Sequence, residues 1–274
     1  MSGRSGSRLC ELHFPDKASK NAGVFVIQRL PIMKNSSKIL ALAYLVSLVA
    51  FMGCSSSNES SSAGVDLFDG NTLDGWQNFG GGKFYVEDGV IVGEAAPILP
   101  NSFLATEKMY DDFELEVDFL VDPLLNSGIQ IRSHVYEKET TTVRWGGTFN
   151  DDGSKNVRDR VWEKGRFWGY QIEIDPTDRG WSGTLYEEGA RGFLHTPGED
   201  EAALKAFKPG EWNHFRIIAN GDHIQTWLNG VPVADVHDDD QASGYIALQL
   251  HGIGKSKEKI GEKVRWRNIR LKSL

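Results

Sequence analysis

Residues 214–235 read His214-Phe-Arg-Ile-Ile-Ala-Asn-Gly-Asp-His-Ile-Gln-Thr-Trp-Leu-Asn-Gly-Val-Pro-Val-Ala-Asp235. Three short runs rich in apolar residues are cut by Asn220-Gly221 and Asn229-Gly230, and within them apolar side chains recur at every second position. A repeat of two is the side-chain period of a β-strand, whereas a helix would repeat near 3.6. Asn-Gly supplies the positive φ that two-residue hairpins require. The stretch therefore predicts a meander of three strands, 214–219, 223–228 and 231–235.

The same pattern extends over the rest of the chain from Val65. Strands are expected at 84–87 and 90–94, joined by Asp88-Gly89, and at 103–106, 113–120, 128–134, 170–175, 184–186, 244–250 and 264–271. Only 199–207 reads as helix, on a weak apolar face of Ala202, Ala203, Leu204, Ala206 and Phe207. An all-β sandwich follows. Two connections, 136–169 and 187–211, show no alternation. Loops this long in a compact domain are functional or disordered, and Trp145, Trp162 and Trp168 in the first argue for ordered walls around a site. Trp76, Trp212, Trp227 and Trp266 are expected in the core, His195 and His237 on the surface.

The first 64 residues have a different character. Residues 39–53 are uncharged and largely apolar, follow Lys34 and Lys38, and end at Gly53-Cys54. The run is short for a membrane span but suits a signal peptide. A bacterial lipoprotein with a lipid on Cys54 is expected, held in the cell envelope by the serine-rich tether 54–64. Met33-Lys-Asn-Ser-Ser-Lys38 reads as the start of that signal, 33–53. This makes 1–32 an upstream extension and 65–274 the working domain. Cys10 and Cys54 are the only cysteines, so the domain has neither a disulfide nor a thiolate metal site.

The chain carries 30 basic and 38 acidic residues; seven basic and two acidic precede Cys54, leaving 23 and 36 after it. Such an acidic balance excludes nucleic acid as a partner and favours neutral or cationic ligands. Alternation puts Gln130, Arg132 and His134 opposite Ile129 and Ile131, Gln171, Glu173 and Asp175 opposite Ile172 and Ile174, and Gln249 and His251 opposite Leu248 and Leu250. If the three strands share a sheet, one face is apolar and the other gathers amides, carboxylates, a guanidinium and an imidazole. That face suits sugar hydroxyls. Glu173 and Asp175, two apart, allow one carboxyl to raise the other's pKa, as acid/base work requires. Trp181 and Tyr186 offer flat surfaces for a sugar ring, while Glu188 and Arg191 can bond its hydroxyls. No phosphate-binding loop is present, no metal-ligand spacing is diagnostic, and no cofactor is expected.

Several segments together resemble the 3-keto-disaccharide hydrolase family. They are Leu67-Phe-Asp-Gly-Asn-Thr-Leu-Asp-Gly-Trp76, Phe84-Tyr-Val-Glu-Asp-Gly-Val90, Tyr110-Asp-Asp-Phe113, Asn126-Ser-Gly-Ile-Gln-Ile-Arg132, Gly169-Tyr-Gln-Ile-Glu-Ile-Asp175, Ile246-Ala-Leu-Gln-Leu-His-Gly252 and Val264-Arg-Trp-Arg-Asn-Ile-Arg270. The resemblance spans 65–274 and implies a concanavalin A-like jelly roll with a concave sugar-binding sheet. It also implies cleavage of glycosides oxidised at C3, where the ketone acidifies the C2 proton and allows elimination of the C1 substituent. On that basis Glu173, Asp175 and His251 are the expected acids and bases. Arg132 is expected to polarise the ketone, and Gln130, Gln171 and Gln249 to bind substrate. The alternative is a carbohydrate-binding module without turnover.

Overall fold

The computed structural model describes residues 64–97 and 100–274. The apolar run, Cys54 and the serine tract lie outside the described residues. The first strands are β1 (Val65–Asp66), β2 (Trp76–Phe79), β3 (Lys83–Glu87), β4 (Val90–Glu94), β5 (Ser102–Tyr110) and β6 (Phe113–Val121). Then come β7 (Ser127–Val135), β8 (Thr140–Phe149), β9 (Lys155–Trp162), β10 (Phe167–Ile174), β11 (Leu185–Glu188) and β12 (Gly192–Phe193). A single turn of helix, α1 (Glu201–Leu204), precedes β13 (Asn213–Asn220), β14 (His223–Leu228), β15 (Val231–His237), β16 (Gly244–Leu250) and β17 (Lys263–Ser273). Among the described residues no helix is long and apolar enough to cross a membrane.

The strands form two sheets. One runs β15-β14-β13-β6-β17-β4-β3, with β1 added beside β17; the other runs β2-β5-β16-β7-β10-β11-β12-β8-β9. The fold is a concanavalin A-like jelly roll. Its core is made by the alternation of both inner faces: Leu115, Val117 and Phe119 of β6, Phe215 and Ile217 of β13 and Trp266 of β17 meet Ile129, Ile131, Ile172, Ile174, Ile246 and Leu248. Each is at most 0 % exposed, and burying such a side chain stabilises the fold by about 1.5–3 kcal/mol.

The turn signals act much as the sequence suggests. Asp88-Gly89 and Asn229-Gly230 each place two successive residues at positive φ, the arrangement of a primed hairpin turn. At Asn220-Gly221 only the glycine does so, because Asn220 still pairs with His223 as the last rung of β13 and β14.

Three expectations are corrected. The stretch 136–169 is not a loop: β8 and β9 form a hairpin there, with Thr140 paired to Trp162 and Trp145 to Val157. The helix shrinks to four residues, started by Asp200, whose carboxylate accepts from the Ala202 and Ala203 amides. Trp212 and Trp227 are half-buried rather than core, each beneath a guanidinium, Arg267 at 4.0 Å and Arg216 at 4.6 Å from the ring centroid. Trp76 and Trp266 are buried.

Candidate functional site

The strands carrying the polar sequence face are neighbours: β16 pairs with β7, β7 with β10 and β10 with β11. Register sets Gln171 beside Gln130 on one side and Tyr186 on the other, and Gln249 beside Gly128. The amides join in one buried chain. Gln130 Nε2 and Gln249 Nε2 donate to Gln171 Oε1 at 2.6 and 2.7 Å, and Gln171 Nε2 donates to Glu173 Oε2 at 2.8 Å. Asn126 Nδ2 donates to the other Glu173 oxygen at 2.8 Å. Gly128 makes room for this chain, since a Cβ there would lie 2.6 Å from the Gln171 side chain. Burial pushes the Glu173 carboxyl up to about 7, against the two amide donors that favour its charged form.

Arg132 does not join them. Two residues of β7, Ile131 and Arg132, face the single Ile246 of β16, and Arg132 takes a positive φ of 46°. This bulge resets the alternation, so Ser133 rather than Arg132 returns to the side of Gln130, whose Oε1 accepts from its hydroxyl at 2.8 Å. The fully buried Arg132 guanidinium instead donates to the carbonyls of Asp111, Gly221 and Gln241 and to Asp112 Oδ1 at 2.8 Å. It ties turns of the fold together.

In front of the amide chain opens a cleft of about 700 Å³. Its floor includes Phe103, Tyr186, Glu188 and His251, and its wall is the cleft-facing side of the β8–β9 hairpin, Arg144, Arg158, Arg160 and Trp162, continued by Lys164 and Arg166. Glu188 pairs with Arg166 and accepts from Asn101 Nδ2 at 3.0 Å. Asn101 Oδ1 in turn accepts from the Gly252 amide at 2.9 Å, tying Glu188 to the chain beside His251. His251 Nδ1 lies 2.8 Å from the Gly252 carbonyl. A carbonyl only accepts, so Nδ1 carries the proton and Nε2 the lone pair. Burial holds the His251 pKa below its usual value, against the pull of Glu188. Burial also pushes the Tyr186 hydroxyl up to about 12, and Arg144 donates to its oxygen. The cleft thus offers a neutral imidazole base, a protonated phenol, a carboxylate and several guanidinium groups.

Of the residues expected from sequence, Tyr186, Glu188 and His251 line the cleft, and Gln130, Gln171, Gln249 and Glu173 form the buried layer joined to Tyr186 through strand register. Asp175 is elsewhere engaged, accepting from the Thr177 amide and hydroxyl and pairing with Arg179 at 2.7 Å, so its carboxylate holds the turn after β10. Trp181 packs edge-on against Phe193 at 4.8 Å, with the Arg179 guanidinium 4.2 Å from its ring centroid. Arg191 binds Glu187 and Asp238, away from the cleft lining. Arg144, Trp162 and Arg166 were not anticipated as site residues; Trp162 alone had a signal, as one of three tryptophans in a charged stretch. The acidic total also concealed a basic cleft, whose lining holds five cationic side chains and two carboxylates.

Among the described residues one group has metal-ligand character: His223, Asp235 and His237, on the outer strands β14 and β15. The two imidazoles stack in parallel at 4.3 Å and 6°. The in-plane lone pairs of parallel rings do not converge on one ion, so the geometry as it stands describes a stacked pair in which His223 bonds Asp235 and His237 pairs with Asp222.

No curated protein matches the chain. Solved structures with a similar course of chain include a candidate glycosyl hydrolase from Parabacteroides distasonis, at 19 % identity and TM-score 0.46, covering 80 % of this chain and 97 % of that one. A carbohydrate binding module from Bacillus subtilis matches at 15 % and 0.47, covering 73 % and 96 %. A β-glucanase from Bacillus licheniformis matches at 13 % and 0.45, covering 78 % and 100 %. The model of the 3-keto-alpha-glucoside-1,2-lyase-like domain matches residues 64–272, and the chain belongs to that family of carbohydrate-active domains.

Proposed function

We propose that the cleft cleaves glycosides oxidised at C3 by elimination followed by hydration. The observation that carries this reading is His251, held neutral by burial inside the cleft, with Nδ1 bonded to the Gly252 carbonyl and Nε2 left as a base. Nε2 takes the C2 proton, made acidic by the neighbouring ketone, and the electron pair moves onto the C3 oxygen as an enolate. The enolate collapses to expel the C1 oxygen, leaving a double bond between C1 and C2 and restoring the ketone. Water then adds its oxygen to C1, with a proton to C2.

Each step has a group suited to it. Arg166, which lines the cleft and pairs with Glu188, is the group proposed to stabilise the enolate oxygen. Tyr186, protonated at neutral pH, donates to the leaving oxygen. Glu188 compensates the imidazolium formed on His251. The buried amide chain through Gln171 and Glu173 holds the floor rigid beneath them. The "1,2-lyase" of the family description agrees with the first half of this sequence. The aromatic and cationic lining would equally serve a module that binds sugar without turnover, and activity separates the two.

The test is to incubate the full chain with a 3-keto-glucoside and its unoxidised parent. Release of the C1 substituent is expected from the keto compound alone. His251→Ala is expected to lower kcat by about a hundredfold or more, and kcat/KM should fall as the pH drops through the His251 pKa, below the usual value near 6.5. Binding without release from either compound would establish the binding module instead.

A further inference from the structure

The β9 strand places Arg158, Arg160 and Trp162 at alternate positions, so all three project from one side, the side that walls the cleft. Arg144 stands directly opposite Arg158 in the β8–β9 register. Like charges in directly opposed positions destabilise a strand pair. Arg144 bonds the Tyr186 hydroxyl, and among the described residues Arg144, Arg158, Arg160 and Lys164 make no ion pair with a carboxylate. Asp159, between the two arginines in sequence, projects to the other side of the strand by alternation. Arg166 adds a buried Nε–H without an acceptor. All of this occurs in a chain of net charge −8.

A neutral saccharide does not call for such a wall, and the enolate of the proposed reaction needs one or two cations at the reacting carbon. Arg166 and Arg144 suffice for that. Arg158, Arg160 and Lys164 remain, exposed and uncompensated along the rim.

We propose that the saccharide taken by this cleft is anionic, with a carboxylate or sulfate substituent on a sugar unit seated against β9. The inference rests on the saccharide-cleaving reading above and names its substrate class. Guanidinium groups bond both oxyanions through paired N–H donors. An anion between Arg144 and Arg158 converts their repulsion into two attractions. The aromatic ring of Trp162, with the Arg160 and Arg166 guanidinium carbons 5.3 and 5.6 Å from its centroid, stands in the same wall. Because these groups are exposed, the preference is screened by salt.

The experiment is titration calorimetry on the full chain with three disaccharides of one linkage: glucosyl-glucose, glucuronosyl-glucose and the 6-O-sulfated glucosyl-glucose. Each is measured at low and high sodium chloride, with inorganic sulfate as a fourth ligand. One or both anionic disaccharides are expected to bind about tenfold tighter than the neutral one at low salt, an advantage of the size that two or three exposed ion pairs supply. The advantage should vanish at high salt. The double variant Arg158→Gln, Arg160→Gln, both exposed and free to change without unfolding the domain, should bring the anionic ligands down to the wild-type affinity for the neutral one. The two anionic arms tell carboxylate from sulfate. Equal or tighter binding of the neutral disaccharide overturns the proposal, as does an anionic preference that survives the double variant. Inorganic sulfate binding as tightly as the sulfated disaccharide overturns it too, since the cleft would then recognise a free anion. If none of the three binds, or they bind without charge preference, while the 3-keto-glucoside is still cleaved, only this inference fails; if the 3-keto-glucoside is not cleaved and no disaccharide binds, the saccharide reading itself fails.

Discussion

At Glu173 two influences oppose each other: burial favours the neutral carboxyl, while Asn126 and Gln171 donate to the carboxylate. Burial prevails, raising the pKa to about 7. A carboxyl whose pKa is raised on folding contributes stability below its unfolded value, and that contribution is lost as pH rises through the folded value. Wild-type protein should therefore lose up to roughly 3 kcal/mol between about pH 4.5 and 7 from this residue. Glu173→Gln should flatten that part of the curve, as measured by urea unfolding at several pH values; an unchanged slope would refute the assignment. The sequence showed Glu173 on the correct side of its strand but could not show how deeply it is enclosed, because depth depends on the layers above. Arg132 was misplaced for a different reason. Alternation holds only while every residue is extended, and one positive φ in β7, invisible in the side-chain pattern, turned the guanidinium away from the amides.

The hairpin β8–β9 shows how an element can escape notice. Alternation is legible when one side of a strand is apolar and the other polar, as in β6 with its strictly alternating burial. Along β9 seven of eight residues are exposed, and Val143, Val157 and Val161 are at least half exposed, so the sequence lacks the contrast that reveals a strand. Strand β9 is wet on both sides, and the hairpin's share of the core is Trp145 of β8, buried against Tyr186 and Phe193; the rest supplies the cleft wall. Replacing residues 141–161 with a short Gly-Ser linker removes buried Trp145 and should lower the melting temperature by about 10 °C, since losing one buried tryptophan costs about 3–5 kcal/mol. It should also weaken saccharide binding at least tenfold. A thermal melt and a binding titration check both; a fall of more than about 25 °C would mean that the core depends on the element beyond this one side chain.

For the molecule as a whole, the meander at 214–235 and its counterparts were sufficient to read the architecture, because two-sheet packing forces the inner faces to be apolar. The distribution of charge was not legible: a net count cannot tell that cations gather on one hairpin while anions spread over the remainder. The proposed lipid on Cys54 belongs to this scale also. Expressed in a bacterium, the wild-type chain should sediment with membranes, and Cys54→Ser should release it to the soluble envelope fraction. Retention of the serine variant on membranes would rule out the lipid as the anchor. The hairpin has one more consequence, through its position. β9 ends its sheet, leaving one row of N–H and C=O groups unpaired, a template on which another chain could add a strand. Lys155, Arg158 and Arg160 make that border repel its own copies. A polyanionic ligand long enough to span two molecules would cancel the repulsion, so self-association should rise with ligand length. If the proposed lipid on Cys54 holds copies on one membrane, a long polyanion would gather them there.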